Sequence, residues 1–378
     1  MSDFDTRFFF SDEMKPEDWI DASLAVGEAH TDICREYPDR ARILEHLPGI
    51  NLTWTEAQDS HFYYPECHQW SAYHGDDGKI SDFASFLEKR PWNDVDELFN
   101  VKKFAYYFTP YDREIDPPIN LGRFEQKYPL HSRFMHYFCP PLQSAVSILC
   151  GRMVRGKMES LRLAREYFPK SEVIDFVMDS VATHYENPEY YHEPKLSEIE
   201  DMLFGYLQEI YRIIQPKITV IDAQPDDTFR ELRSKLGSLK INLLGKFFEG
   251  AKFSRLMMGR ILFYANDIPH FESMWLISHE MRRIRRMFFE ITFETYGLIA
   301  WGEQLPPETV LERCRGDVLN NSDYDAVKAF SDIFTQVNDA PDIRTFAREV
   351  AAVMAPFQVV LEKLGIAARR EYEQGVDE

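Results

Sequence analysis

In the stretch Pro225-Asp-Asp-Thr-Phe-Arg-Glu-Leu-Arg233, an aromatic ring and a guanidinium stand four residues apart on a segment that reads as a helix. Residues at i and i+4 share a helical face, so Phe229 can supply a flat apolar wall while Arg233 forks onto a carboxylate. The chemistry that suits this pair is recognition of an aromatic amino acid. An ordinary amphipathic surface helix carries the same pattern, so other stretches must decide. Asp226-Asp227 with Glu231 also echo the acidic motif that holds magnesium diphosphate in helical terpene cyclases. The second metal-binding array of those enzymes has no match at suitable spacing: Asn266-Asp267 begins one and continues Ile-Pro-His-Phe.

Eleven histidines raise the question of a metal. His61, His68 and His74 crowd one stretch with Glu66 and Cys67, but separations of seven and six do not stack side chains on successive helical turns. His30 with Cys34 and His136 with Cys139 have helix-compatible separations, each as a single pair. Di-iron bundles need Glu-x-x-His on two helices, and only Glu189-Tyr-Tyr-His192 matches. Further on, His279-Glu-Met-Arg-Arg-Ile-Arg-Arg286 places Arg282, Arg283, Arg285 and Arg286 on one predicted helix. Such a run can neutralise propionates or phosphates, with His279 as a metal ligand, or it can be a solvated face paired with carboxylates. Nucleotide-binding glycine motifs, GxSxG and HExxH are absent from the sequence.

Aromatic residues make up 14% of the 378, more ring surface than a helical core usually needs, which favours pockets for flat ligands. A net charge of −20 repels phosphate backbones and anionic lipid, so nucleic-acid and membrane-surface roles are disfavoured. The five cysteines are odd in number and lack a CxxC pair, against a disulfide framework or a thiolate zinc site. The segment Met1-Ser-Asp-Phe-Asp-Thr carries acid where a secretory signal carries base, and no apolar run approaches 18 residues. The expectation is a cytoplasmic protein.

These elements would have to position the chemistry. From about residue 140 onward the periodicity is helical. It predicts helices over Pro141–Phe168, Ser171–Tyr185, Ser197–Ile214, Asp226–Leu236, Lys252–Ala265, Phe271–Ile299, Pro307–Arg315, Ser322–Val337 and Asp342–Tyr372. Ser197-Glu-Ile-Glu200 and Ser322-Asp-Tyr-Asp325 have the side chains to cap two of them. Before that, helices are expected over Pro16–Tyr37 and Pro38–Leu47. The stretch from Pro48 to Pro140 is rich in Pro, Gly, Tyr, Trp and His and reads as loops with short helices that roof a pocket. The expected organisation is residues 1–140 as a loop-rich, aromatic-rich cap and 141–378 as a helical core.

Four stretches, in order, resemble the helical haem superfamily of indoleamine 2,3-dioxygenase, tryptophan 2,3-dioxygenase and monodechloroaminopyrrolnitrin synthase. Ala41-Arg-Ile-Leu-Glu-His-Leu-Pro-Gly-Ile-Asn51 looks like a segment near the start of the pyrrolnitrin enzyme. Leu207-Gln-Glu-Ile-Tyr-Arg-Ile-Ile-Gln-Pro216 followed by Phe229-Arg-Glu-Leu-Arg233 looks like the helix, proline, then aromatic-x-x-Leu-Arg of the superfamily. Glu280-Met-Arg-Arg283 is similar to the dioxygenases' Asp-Met-Arg-Arg. Met354-Ala-Pro-Phe-Gln-Val-Val-Leu-Glu362, after Asp323-Tyr-Asp-Ala-Val-Lys-Ala329, resembles the last helix. The resemblance covers roughly residues 40 to 375 through short motifs with long unmatched stretches between them. Where the family has its iron-ligating histidine, this chain has Phe357, whose ring offers iron no lone pair.

The resemblance implies an all-α, large helical bundle of the indoleamine 2,3-dioxygenase-like type. It implies a haem-dependent, oxygenase-like oxidoreductase acting on an aromatic amino acid or indole derivative in specialised metabolism. Dioxygen or peroxide would be the oxidant, and a homodimer is compatible with it. Phe229 and Arg233 would hold the substrate, Arg282, Arg283 and Arg286 would face the propionates of haem b, and His279 or His270 would replace the missing iron ligand. Two alternatives stand beside it: a helical enzyme using a histidine-bound non-haem metal or magnesium, and a non-catalytic helical ligand-binding protein that has lost haem.

Overall fold

The computed structural model describes residues 6–38, 49–61, 63–72, 74–108, 138–169, 171–186, 196–266, 284–334 and 342–376. In chain order the elements are β1 (Phe9–Phe10), α1 (Asp18–Glu36), β2 (Leu52–Thr53), α2 (Trp54–Gln58), a 3-10 turn at Pro65–Gln69, α3 (Asp77–Lys89) and α4 (Asp94–Phe108). Then come α5 (Cys139–Cys150), α6 (Lys157–Tyr167), α7 (Glu172–Glu186), α8 (Leu196–Ile214), α9 (Phe229–Gly237), α10 (Leu243–Ser254) and α11 (Met257–Ala265). A π-helical turn, Arg285–Glu290, leads into α12 (Ile291–Trp301), followed by α13 (Pro307–Cys314), α14 (Asn321–Ile333) and α15 (Ile343–Val376). The all-α expectation holds: among the described residues the only named strands are β1 and β2, paired in parallel over two residues. The helix expected over Pro38–Leu47, the first part of that over Phe271–Ile299 and the end of that over Ser322–Val337 fall, in whole or part, outside the described residues.

The chain groups into two compact units, Tyr64–Ile241 and the pair Asp3–Tyr63 with Asn242–Glu378, so the division runs through 64 and 241 and not through 140. In the first unit α5 packs on α4, α6 and α8. Val101, Phe104, Leu142, Val146, Leu207 and Ile210 bury there because each recurs at three or four positions along its helix. The continuous helix expected over Pro141–Phe168 is two helices. Gly151 sits at φ 61°, a left-handed conformation that a glycine adopts without steric cost, and its N–H bonds back to Ile148 O to close α5. One carboxylate and one phenol tie the surrounding loops down. Buried Glu97 accepts from the N–H and hydroxyl of Thr219 and the N–H of Val220 (2.9 Å), and Tyr206 donates to Phe138 O at 2.9 Å.

In the second unit α15 is the central helix, packed by α10, α11, α12 and α14, while α1 lies on α11. Its buried face runs Phe346, Val350, Met354, Phe357, Leu361 and Leu364, three and four residues apart. The stretch Arg344–Gln374 is long and apolar enough to cross a bilayer, and here that apolar face fills the unit's core. Pro356 lies inside the helix and removes one N–H that would otherwise bond a carbonyl four residues back. The helix expected over Lys252–Ala265 is also split. It begins at Leu243, capped by Asn242, whose side chain accepts from Gly245 N, and is interrupted at Arg255-Leu256. The cap expected at Ser322 lies two residues earlier, where Asn320 and Asp323 form the reciprocal box.

Candidate functional site

The residues singled out by sequence separate into those the structure describes and those it does not. His270, His279, Arg282 and Arg283 lie outside the described residues. Phe229 opens α9 and Arg233 is half-buried one turn on, in the first unit. The helix starts at Phe229 and not at Asp226, because Thr228 caps it: its hydroxyl accepts from Glu231 N while Glu231 accepts from Thr228 N at 2.7 Å. The neighbouring acid is already committed. Asp227 takes Lys235 Nζ at 2.6 and 2.7 Å, Gln224 N at 2.7 Å and the Tyr211 hydroxyl at 3.3 Å. Burial pushes its carboxyl up, but the Gln224 N–H and Lys235 outweigh that and hold it below the ordinary range. An Asp226-Asp227 diphosphate motif is therefore not presented, since Asp227 pins its own loop.

Arg286 is exposed on the π-helical turn, and its neighbour Arg285 pairs with Glu290 and with Glu308 (2.9 Å). This matches the solvated-face reading of the arginine run for its two described members. Among the described residues no group of three or more His, Cys, Asp or Glu side chains is placed to hold a metal. His30 sets its ring edge-on to Phe263 (4.7 Å between centroids) and His61 to Tyr372 (5.1 Å), so both are packed among aromatics. Burial pushes His68 down, against the charge of Asp96.

Phe357 stands where an expected haem ligand would be needed on α15. Its ring is 0% exposed and stacks face to face on Phe330, with centroids 3.8 Å apart and planes 2° from parallel. It has no lone pair to offer, and the space beside its face is filled by another ring. Haem does not fit at this position.

Two other places in the second unit concentrate polar groups. The first is a buried ion cluster. Arg255, 2% exposed, donates to Glu56 through both terminal nitrogens (2.6 and 2.7 Å), to Glu362 through Nε and Nη2 (2.8 and 3.0 Å) and to Asn51 O (3.1 Å). Its guanidinium also lies over the Trp19 ring at 4.2 Å, and Gln358 donates to its backbone carbonyl at 3.0 Å. Burial alone would depress the Arg255 pKa, and the two glutamates more than reverse this. For Glu56 burial raises and Arg255 lowers, with a net depression. Asn51 and Glu362 lie over 300 residues apart in sequence, and here both bond one arginine.

The second is a cleft of about 450 Å³ along the seam of α1 and α11, closed at one end by α15. The helices touch through glycine. A Cβ on Gly259 would fall 2.0 Å from Ser23 O, and one on Gly27 would fall 2.8 Å from the Gly259 backbone. Ser23 Oγ accepts from Gly259 N at 2.9 Å and fixes the contact. Away from it the floor is Thr31 and Phe263, with Thr31 Oγ1 donating to Gly27 O (2.8 Å) and accepting from Asn266 Nδ2 (3.4 Å). Leu24 and Leu262 give an apolar end, Glu28 and Asp32 supply two carboxylates one turn apart, and Arg35 and Arg348 bring guanidiniums from two helices. Arg348 is steadied by Ala265 O at 3.4 Å. Sequence reasoning missed this site. Glu28, Asp32 and Arg35 lie on one helix, and the facing wall comes from residues more than 200 positions later.

No protein-family model, curated protein or solved structure matches this chain.

Proposed function

We propose that this chain is a helical small-molecule-binding protein that takes an aromatic amino acid or related indole compound in the cleft of α1, α11 and α15, without haem at position 357. The cleft carries the reading. Its volume lies in the range of small-ligand pockets, and it joins apolar walls to a few convergent polar groups. Opposite charges at Glu28 and Asp32 against Arg35 and Arg348 suit a zwitterion, the ammonium toward the carboxylates and the carboxylate toward the guanidiniums. The apolar body then lies along Leu24, Leu262 and Phe263.

Calorimetry with L-tryptophan, tryptamine and indole-3-propionate tests it. Arg348→Ala is expected to weaken L-tryptophan and indole-3-propionate by about tenfold while leaving tryptamine, which has no carboxylate, unchanged. Equal weakening of all three removes the assigned carboxylate contact. Selective weakening by Arg233→Ala instead moves the site to α9.

A second reading is the haem-dependent oxygenase of the resembling superfamily, supported by the meeting of two of its motif stretches at Arg255. It requires His279 or His270 as the iron ligand, and haem would supply oxygen activation beside the substrate. A Soret band in the purified protein, lost in His279→Ala or His270→Ala, is its expected signature, and a colourless protein that does not take up added haemin rejects it.

A further inference from the structure

Helix α6 buries Ser160, Leu161 and Ala164 in the first unit, which turns Met158, Arg162 and Arg165 to solvent. At 100° per residue these three fall within about 60° of one another and span about 10 Å of the helix. The turn before the helix adds exposed Arg152 and Arg155. From Arg152 to Arg165 the chain carries five lysines and arginines and a single carboxylate, Glu159, on a molecule whose net charge is −20. Glu159 answers only part of that charge, accepting from Arg152 Nη2 at 2.8 Å and from Arg155 N at 2.7 Å. Arg165 meets Asp175 at 2.9 Å in an exposed pair, of the kind that contributes little. Among the described residues neither the Arg155 nor the Arg162 guanidinium pairs with a carboxylate, and Arg162 Nε reaches only the Met158 carbonyl at 3.4 Å.

We propose that this face of α6 docks an acidic helix of a partner protein, one that sets carboxylates three and four residues apart around an apolar side chain. Charge complementarity selects that occupant. Guanidiniums fork onto carboxylates, so Arg155, Arg162 and Arg165 are matched by a row of glutamates, and the exposed contact to Asp175 is readily exchanged for one of them. Met158, flexible and 50% exposed, supplies the apolar contact within the row. Its spacing to Arg162 and Arg165, i, i+4 and i+7, is the one with which helices present anchors to each other. Nucleic acid or an anionic bilayer extends past the patch and meets the −20 of the whole chain, whereas a short acidic helix meets the patch alone. A second copy docked twofold on this face sets arginine against arginine. The inference is independent of the cleft reading, because it shares no residue with the cleft and lies in the other unit.

The test uses the full chain and a fluorescein-labelled, helix-forming Leu/Glu peptide, read by fluorescence anisotropy at low ionic strength. Saturable one-to-one binding is expected, weakened about tenfold by the double substitution Arg155→Ala, Arg162→Ala, less by Met158→Ser, and left unchanged by Arg370→Ala, an exposed arginine on α15. Both substituted arginines are exposed, so the thermal melt of the double variant should match that of the parent chain. The Leu/Lys version of the peptide is expected not to bind. Unchanged affinity in the double variant, or an equal loss in Arg370→Ala, overturns the proposal. So does tighter binding of phosphatidylserine vesicles or double-stranded DNA through the same arginines, which would assign the patch to polyanions. Self-association by light scattering that the double variant abolishes would assign it to a second copy and overturns the proposal equally.

Discussion

The two units use their buried polar groups for different ends. In Tyr64–Ile241 they are spread out as anchors: Glu97 ties the 219–220 loop, Asp227 with Lys235 ties the turn before α9, and Gln143 and Ser147 hold the chain leaving α5 at Val154. In the other unit the core is rich in rings, with Phe247, Phe288, Phe289, Phe293, Phe330 and Phe357 buried together. Its buried ion cluster is gathered at Arg255, and a separate group of charges, Glu28, Asp32, Arg35 and Arg348, lines a cleft. Asp227 and Glu97 are spent on their own loops, whereas Glu28 and Asp32 line space a ligand can enter, Asp32 in an exposed pair with Arg35 at 3.7 Å. A small-ligand site is therefore better sought in the second unit, although the most suggestive sequence motif lies in the first.

Removing the arginine gives the largest expected contrast. Arg255→Leu leaves Glu56 and Glu362 buried without their cation, and is expected to cost about 3–5 kcal/mol of stability by urea unfolding. Combining it with Glu56→Gln and Glu362→Gln should recover much of that loss, because the uncompensated charge disappears with them. A cost below about 1 kcal/mol for the single variant would mean the cluster is solvated and behaves as a surface pair. The same cluster sets an acid limit. Glu56 has its folded pKa held below the ordinary value, so its stabilisation is present above about pH 4.3, the unfolded value, and is lost as pH falls through the lower folded one. Fluorescence melts between neutral and acid pH should show this limb, and Arg255→Leu should flatten it.

Two glycines in helices sharpen the contrast with opposite signs. Gly259→Ala drives a Cβ to 2.0 Å from the Ser23 carbonyl, and either α1 shifts or the contact breaks, at about 1–3 kcal/mol. Because Gly259 also lines the cleft, L-tryptophan binding should weaken alongside. Gly205 in α8 of the first unit meets nothing within 4 Å, so Gly205→Ala should stabilise by about 1 kcal/mol through helix propensity alone. Thermal melts of the two variants read both signs, and a neutral Gly259→Ala would remove close backbone approach as the reason for the glycine.

Sequence periodicity carried most of the helical architecture and little of the site. The pattern at Pro16–Tyr37 became α1, and Pro216 ended the run that became α8, because regular apolar spacing and a missing N–H act locally. The misses also have local causes. Gly151 breaks Pro141–Phe168 by taking a left-handed conformation that apolar counting does not register. The helices at Asp77–Lys89 and Asp94–Phe108 fall where Pro, Gly and Trp predict loops with short helices, and Leu98, Val101, Phe104 and Ala105 keep a helical spacing that such composition masks. Arg255 gave no signal at all: its partners come from positions 51, 56 and 362, and only folding joins them.

The smallest effects should be equal in the two units, which checks that the larger differences are not generic. Thr228 caps α9 and Asn320 caps α14 by the same reciprocal box, each hydrogen-bonded to the residue three positions on. Alanine at either position should cost about 1 kcal/mol, because one orphan N–H loses its acceptor in each case. Hydrogen exchange should quicken at the first turn of the affected helix and nowhere else. Thr228→Ala has an added consequence if Arg233 is a ligand anchor, since fraying α9 would then loosen binding of a carboxylate-bearing ligand. If L-tryptophan affinity is indifferent to Thr228→Ala yet falls with Arg348→Ala, binding belongs to the cleft of α1, α11 and α15 and not to the unit whose carboxylates are spent on its own loops.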